Sequence, residues 1–157
     1  MSSMVKVMTY EKALNEIYEL VKKHSNLFSV NAYDISVLPG WIPLVDGLLS
    51  CIQDALKENE RLQIVQIKEK FGQLRINFGM NGISEDRVDV FRDMVKDAEN
   101  KSMKLCVFCG EDGLMVNKGW ISPRCTEHLS KDFDLSERSV VVLAKHEDRM
   151  AKLLGQK

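Results

Sequence analysis

The sequence predicts an α+β protein in which helices pack on a short antiparallel sheet, with a zinc-stapled subdomain attached. Three observations carry this prediction. Apolar residues recur at helical spacing in several segments, two neighbouring segments alternate with a period of two, and two pairs of metal-binding residues follow them. The length of 157 residues indicates one domain, 1–157, that includes a zinc-binding subdomain at 105–129 and a C-terminal helix at 136–155.

The first and third predicted helices have clear N-terminal signals. Thr9 can cap a helix that runs to about Lys23, with its apolar residues on one face. Ser84 can cap a later helix that ends near 101–104, and two acidic residues follow it, where the positive end of the helix dipole favours them. Both helices are therefore expected to be amphipathic and to lie on the surface of the core.

The second predicted helix begins near Pro43 and carries the longest apolar stripe. Leu48 and Ile52 lie in the middle of that stripe and should be almost fully buried, and Cys51 on the same stripe should behave as a small core hydrophobe. Trp41, just before the helix, has two interpretations: it packs against the helix as a staple, or it is an exposed anchor for a binding partner.

Two strands are predicted at about 62–70 and 73–79. Phe71-Gly72 can form the tight connection, with Gly72 available for a positive φ angle. This turn places Lys68 opposite Arg75, and Val65 and Ile67 then share the apolar side. A slip of one residue would turn the apolar residues of one strand to the other face, so the register is well specified.

The other side of the predicted hairpin is polar and basic. It comprises Gln66, Lys68, Lys70, Gln73, Arg75 and Asn77. Two interpretations remain open: a solvated sheet surface, or a face on which Lys68, Lys70 and Arg75 bind phosphate, nucleic acid or an acidic partner. Glu69 falls on the apolar side by parity. It either emerges at the hairpin end or is a buried carboxylate paired with a cation.

Other segments give weaker signals. A short strand is predicted within 29–37, although two polar residues interrupt its alternation. Within the predicted C-terminal helix, Val140 to Val142 form a β-branched triplet, so a strand is an alternative there. His24 and His146 have no carboxylate or nucleophile arranged around them in the sequence, and we expect both to be surface histidines.

The clearest chemical signal is a metal-binding constellation. Cys106 and Cys109 are separated by two residues and followed by a glycine, and Cys125 and His128 repeat the separation after fifteen intervening residues. A predicted hairpin joins the two pairs. Three thiolates and one imidazole favour zinc over hard cations, and four protein ligands leave no position for a catalytic water. We therefore predict a structural zinc. The alternative is that the thiols are free or redox-active.

Composition excludes other classes of protein. Hydrophobic residues make up 45% of the chain, enough to form a core, so general disorder is excluded. The formal net charge of −1 argues against a protein that coats nucleic acid by overall charge. No apolar run approaches the ~18 residues needed to cross a bilayer, so no membrane association is expected. Four cysteines without a signal-peptide pattern indicate a cytoplasmic protein.

The chain resembles a family of small uncharacterised proteins of bacteria and their phages. The resemblance is carried by Trp41-Ile42-Pro43-Leu44-Val45, by the hairpin segment 64–75 and by the paired metal ligands, and it covers about 41–129. Gln73 stands where a second glycine is expected, and His128 where a cysteine is also common. The resemblance implies origin and architecture. It implies no activity.

These observations favour non-enzymatic binding as the function. The sequence has no Ser-His-Asp order, phosphate loop, dinucleotide fingerprint or paired-carboxylate signature, and an enzyme of unknown class is only the third alternative. If the chain comes from a phage, the partner is expected to be a host regulatory or defence protein, or a signalling nucleotide. The second alternative is nucleic-acid or nucleotide binding through the basic hairpin face.

Overall fold

The computed structural model describes residues 10–118, 120–129 and 141–142 and confirms the predicted α+β class. The helices are α1 (Tyr10–Lys23), α2 (Ile42–Ala55) and α3 (Glu85–Ser102), and the strands are β1 (Asp34–Val37), β2 (Arg61–Lys70), β3 (Gln73–Asn81), β4 (Leu114–Lys118), β5 (Trp120–Arg124) and β6 (Val141–Val142). None of the described helices is long and apolar enough to cross a membrane.

The main sheet has four strands in the order β3-β2-β1-β6. The β2–β3 and β1–β6 pairs are antiparallel, but β1 runs parallel to β2. The sheet is therefore mixed, because α2 carries the chain back across it between β1 and β2, as a parallel pair requires. At Val141 and Val142 the structure has a strand and not the predicted helix. The other residues of the predicted helix at 136–155 lie outside the described residues.

The hairpin has the predicted register. Lys70 pairs with Gln73, and Lys68 pairs with Arg75. The turn has φ angles of 53° at Phe71 and 80° at Gly72, the backbone of a type I′ turn. Phe71 is the one non-glycine residue in the described part of the chain with a positive φ. For an aromatic residue this conformation costs about 1–2 kcal/mol.

A bulge in β2 corrects one detail of the predicted alternation. The pairing with β3 shifts between Ile64 and Gln66, which leaves Val65 as the extra residue of β2. As a result Ile64 and Ile67 are both buried in the core, whereas Val65, predicted to share the face of Ile67, is only half-buried.

The core lies between the apolar side of the sheet and the helices. Its largest fully buried side chains include Ile17 of α1, Leu49 of α2, Ile67 of β2 and Phe91 of α3. Helix α3 also covers the outer edge of β3, because its side chains at Ser102 and Glu99 accept hydrogen bonds from the backbone N–H groups of residues 74 and 76, both at 2.9 Å. Covering this edge removes a template for strand addition by another chain.

The stripe of α2 faces the core as predicted at two of the three positions considered. Leu48 and Ile52 are 7% and 1% exposed, but Cys51 is exposed, which corrects its assignment to the core. Cys51 lies seven residues after Leu44, and Leu44 itself is only half-buried, so both lie at the margin of the stripe.

We expect Ile52→Ala to lower the free energy of unfolding by ~2–5 kcal/mol, because it removes buried methylenes and leaves a cavity. Cys51→Ala, one residue earlier on the exposed side, is the matched control and should change stability by less than about 0.5 kcal/mol. Urea denaturation measures both. A cost for Ile52→Ala below about 1 kcal/mol would show that α2 is not packed on the main core.

His24 is not the surface histidine that the sequence predicts. It is 2% exposed, and its ring nitrogens lie 2.8 Å from Asp46 Oδ1 and 3.3 Å from Gln53 Oε1 on α2. The hydrogen bond from His24 lowers the pKa of the Asp46 carboxyl, with Lys23 acting in the same direction. These contacts join the end of α1 to α2. His146 lies outside the described residues.

Candidate metal centre and basic sheet face

The four predicted metal ligands come together in the structure. One ligand atom each from Cys106, Cys109, Cys125 and His128 lies within 4.8 Å of the other three. The Cys109 and Cys125 sulfurs are 3.6 Å apart, and His128 Nδ1 is 3.2 Å from the Cys125 sulfur and 3.5 Å from that of Cys106. A tetrahedral ion with metal–sulfur bonds of ~2.3 Å has sulfur–sulfur edges of about 3.8 Å, so the cluster can hold a metal ion.

Local backbone geometry sets these positions. Gly110, at φ 80°, lets the chain turn back so that its N–H donates to the Cys106 carbonyl at 2.8 Å, which brings Cys109 beside Cys106. The β4–β5 hairpin then returns the chain to the same place. A single 3₁₀ turn, in which the His128 N–H donates to the Cys125 carbonyl at 3.1 Å, turns the imidazole toward the thiols.

The cluster is joined directly to the hydrophobic core. Cys106, Val107 and Phe108 are each no more than 3% exposed and belong to the core cluster. Trp41 is fully buried, and its Nε1 donates to the Leu105 carbonyl at 3.1 Å. Trp41 is therefore a structural residue that fixes the metal-binding segment, and its assignment as a surface binding residue is corrected.

The environment of the thiols suits a bound cation. Burial raises the pKa of the Cys109 thiol to about 12, with the Cys125 and Cys106 sulfurs adding to the effect. Burial also opposes ionisation of Cys106, but hydrogen bonds from the backbone N–H groups of Cys125, Phe108 and Cys109 outweigh it and lower the pKa of Cys106. Such crowded sulfurs favour a divalent cation, which lets all of them ionise together.

The predicted basic face is found on the hairpin. Lys70 and Arg75 are exposed and Lys68 is half-buried, with Lys68 directly opposite Arg75. Among the described residues no carboxylate forms an ion pair with any of the three. The Lys70 Nζ lies 5.9 Å from the centre of the Phe71 ring, which places that ring beside the basic face.

Three carboxylates that could neutralise this face have other partners. Glu69 Oε2 accepts hydrogen bonds from the Gly72 N–H at 2.7 Å and from Trp120 Nε1 at 3.3 Å, so Glu69 joins the hairpin turn to the metal-binding hairpin. Asp46 contacts Lys23 and His24, and Glu99 accepts from the backbone of β3. Glu69 is thus half-buried and hydrogen-bonded, and none of the cations in the described ranges pairs with it.

A polar cluster that the sequence analysis did not single out adjoins the basic face. Gln66 accepts hydrogen bonds from Asn77 Nδ2 at 2.5 Å and from the Tyr33 hydroxyl at 3.3 Å, and it donates to Asp34 Oδ2 at 3.1 Å. The Ser36 hydroxyl donates to the second oxygen of Asp34 at 2.9 Å. Tyr33 stays 56% exposed. The periodicity of the sequence does not indicate that Tyr33 belongs to this cluster, because Tyr33 precedes β1 and reaches the sheet only through the parallel pairing.

Comparisons with known proteins identify no relative: no family, curated protein or solved structure matches this chain.

Proposed function

We propose that the protein is a non-catalytic binding protein in which a structural zinc ion supports the fold and a basic sheet face binds an acidic or phosphate-bearing partner. The observation that carries the proposal is the pairing of Lys68 with Arg75 across β2 and β3, where no carboxylate of the described residues forms an ion pair with either cation. The proposal includes a cytoplasmic location, because thiolate ligands stay reduced there.

The choice of zinc follows from the donor set. Three sulfurs and one imidazole nitrogen within 4.8 Å of one another suit zinc, while magnesium and calcium prefer oxygen ligands. When bound, the ion supplies folding energy. With four protein donors it has no open coordination position, so it does not activate water. Its role is to hold the 105–129 segment on the core.

The binding role follows from an electrostatic cost. Like charges directly opposite each other on a sheet are unfavourable by roughly 0.2–1 kcal/mol, so folding stability alone does not favour Lys68 opposite Arg75. An anionic group between them converts the repulsion into charge-assisted hydrogen bonds. Internal neutralisation is the competing explanation, and its candidate carboxylates Glu69, Asp46 and Glu99 have other partners.

The double variant Lys68→Ala, Arg75→Ala tests this role. We expect it to elute from immobilised heparin at clearly lower salt, while its free energy of unfolding holds or rises slightly because a repulsion is removed. Lys22→Ala, Lys96→Ala is the matched control, since it removes two charges from exposed helical positions and should elute close to wild type. If Lys68→Ala, Arg75→Ala loses stability instead, the two cations are paired within the protein and the binding role is wrong.

A second candidate function is binding of a host regulatory or defence protein. The observation that favours it is a small exposed apolar patch at the hairpin tip, where Phe71 is 71% exposed and Met115 is 41% exposed beside Gly72. A pull-down from host lysate with and without nuclease separates the two candidates. Capture that persists after nuclease treatment and requires Phe71 and Met115 supports the protein partner.

A further inference from the structure

Two exposed aromatic rings flank the basic face at its two ends. Tyr33 lies at one end, where its hydroxyl donates to Gln66 and 56% of the residue remains exposed. Phe71 lies at the other end, 71% exposed and beside Lys70. Gln66 lies in β2 and Phe71 directly follows the strand, so the backbone at these two positions is separated by roughly 17 Å, five residues of strand rise. Lys68 and Lys70 lie between them.

The Phe71 ring occupies a position that stability does not favour. Its φ of 53° suits glycine or asparagine and is unfavourable for phenylalanine. Phe71 is largely exposed, so burial of the ring offsets little of that cost. Backbone strain at an exposed residue is typical of a functional position. A hairpin selected only for folding would carry asparagine at this turn position.

We infer that this face binds single-stranded nucleic acid: Lys68, Lys70 and Arg75 contact phosphates while Tyr33 and Phe71 stack against bases. The inference deepens the proposed function and depends on it. A positively charged groove or face that carries aromatic side chains is the general solution for unpaired strands, since every base has a stacking surface. Duplex nucleic acid offers no unstacked bases to the rings.

The charge distribution along the face fits such a ligand. Asp34 is the one described carboxylate on this side of β1, β2 and β3, and it lies at the Tyr33 end with both oxygens bonded to Ser36 and Gln66. The three cations lie toward the hairpin tip, so the positive potential is concentrated near Phe71. Phosphates are therefore expected over the hairpin. At the Tyr33 end, the polar side chains of Gln66 and Asn77 lie next to the ring.

The test measures fluorescence anisotropy of the full chain with labelled oligothymidine and oligouridine of about 12 nucleotides. Inorganic polyphosphate provides an anion without bases, and a duplex of equal length provides stacked bases. Binding of the oligonucleotides is expected to weaken with salt. Lys68→Ala, Arg75→Ala should reduce the slope of log affinity against log salt by about 1.4, or about 0.7 for each cation removed. Lys22→Ala, Lys96→Ala should leave the slope unchanged.

The aromatic variants separate stacking from charge. Phe71→Asn and Tyr33→Leu should each weaken oligonucleotide binding by about fivefold or more and leave polyphosphate binding unchanged. Phe71→Trp should retain binding. Phe71→Asn should also raise the thermal midpoint, by roughly 2–4 °C, because asparagine tolerates the turn conformation. Loss of binding in a more stable protein cannot result from misfolding.

Three outcomes would overturn the inference. If oligonucleotides and polyphosphate bind equally and the aromatic variants have no effect, the face binds anions without stacking, and the proposed function stands while single-strand recognition is wrong. If the duplex binds more tightly and Phe71 has no effect, the ligand is double-stranded. If none of the nucleic acids or polyphosphate binds, and elution from heparin does not depend on Lys68 and Arg75, the inference and the proposed basic-face function both fail.

Discussion

Replacing Cys109 with serine is expected to release the metal and destabilise the whole domain, well beyond the segment that contains it. Serine is a poor ligand for zinc, and three remaining donors hold the ion much more weakly. Because Cys106, Val107 and Phe108 are part of the hydrophobic core, loosening the metal-binding segment also exposes core surface. We expect a loss of at least about 3–5 kcal/mol, which corresponds to a fall in thermal midpoint of roughly 10 °C.

Cys51→Ser is the matched control for this variant. It makes the same chemical change at an exposed cysteine outside the cluster, so metal content and thermal midpoint should match wild type. Elemental analysis of protein purified under reducing conditions without chelator should find one zinc per chain. A wild-type protein without zinc, or a Cys109→Ser variant that keeps both metal and stability, would show that the cluster has another role.

Acidic conditions should release the metal and lower the stability of the protein, as the removal of a ligand does. Sulfur ligands bind a metal as thiolates and a histidine binds it through a neutral ring nitrogen, so protonation of the four candidate ligands is expected to compete with a bound ion. Below the pH at which zinc dissociates, wild type and Cys109→Ser should converge in stability.

Features specified by short-range pattern could be predicted from the sequence. The hairpin register follows from alternation and turn chemistry, and the pairing of Lys68 with Arg75 is found as predicted. The metal ligands are recognisable because chelation requires fixed short spacings within each pair, and the hairpin between the pairs is itself a local motif. Both ends of α1 and α3 and the start of α2 agree for the same reason, since caps and apolar stripes are local signals.

Features that depend on distant segments could not be predicted. The parallel pairing of β1 with β2 has no local signature, and neither does the contact of His24 with Asp46, two residues 22 apart. The sequence left two environments open for the Trp41 indole, packed against α2 or exposed to a partner. Only the position of residues 105–110 decides between them. The bulge at Val65 was missed because one extra residue reverses the parity on which strand assignment depends.

Gly40 is the clearest case of a residue whose importance comes from such a distant contact. Its N–H donates to the Val107 carbonyl at 2.8 Å, and its backbone crosses that of Gly110. A Cβ atom on Gly40 would overlap the Cys106 carbonyl oxygen and lie 2.8 Å from the Gly110 nitrogen, both backbone atoms that no side-chain rotation can move. The sequence shows only a glycine between Pro39 and Trp41, which resembles an ordinary turn.

Gly40→Ala is therefore expected to cost about 3 kcal/mol or more, since the turn that carries Cys106 and Cys109 must move away from the core. That movement also breaks the Trp41 hydrogen bond to Leu105, so zinc retention against a chelator should fall together with the thermal midpoint. The two measurements together distinguish this mechanism from a general loss of stability, which would leave metal affinity in the folded protein unchanged.

Gly47→Ala provides the control with the opposite expected sign. Gly47 lies within α2, and an added Cβ atom there would meet nothing within 4 Å, so alanine should stabilise the helix by up to about 1 kcal/mol. A Gly40→Ala protein whose stability lies within about 0.5 kcal/mol of wild type would contradict the close backbone crossing. If Gly40→Ala is strongly destabilised while Gly47→Ala is stabilised, the metal-binding turn and the start of α2 are in direct contact through these two glycine backbones, Gly40 and Gly110.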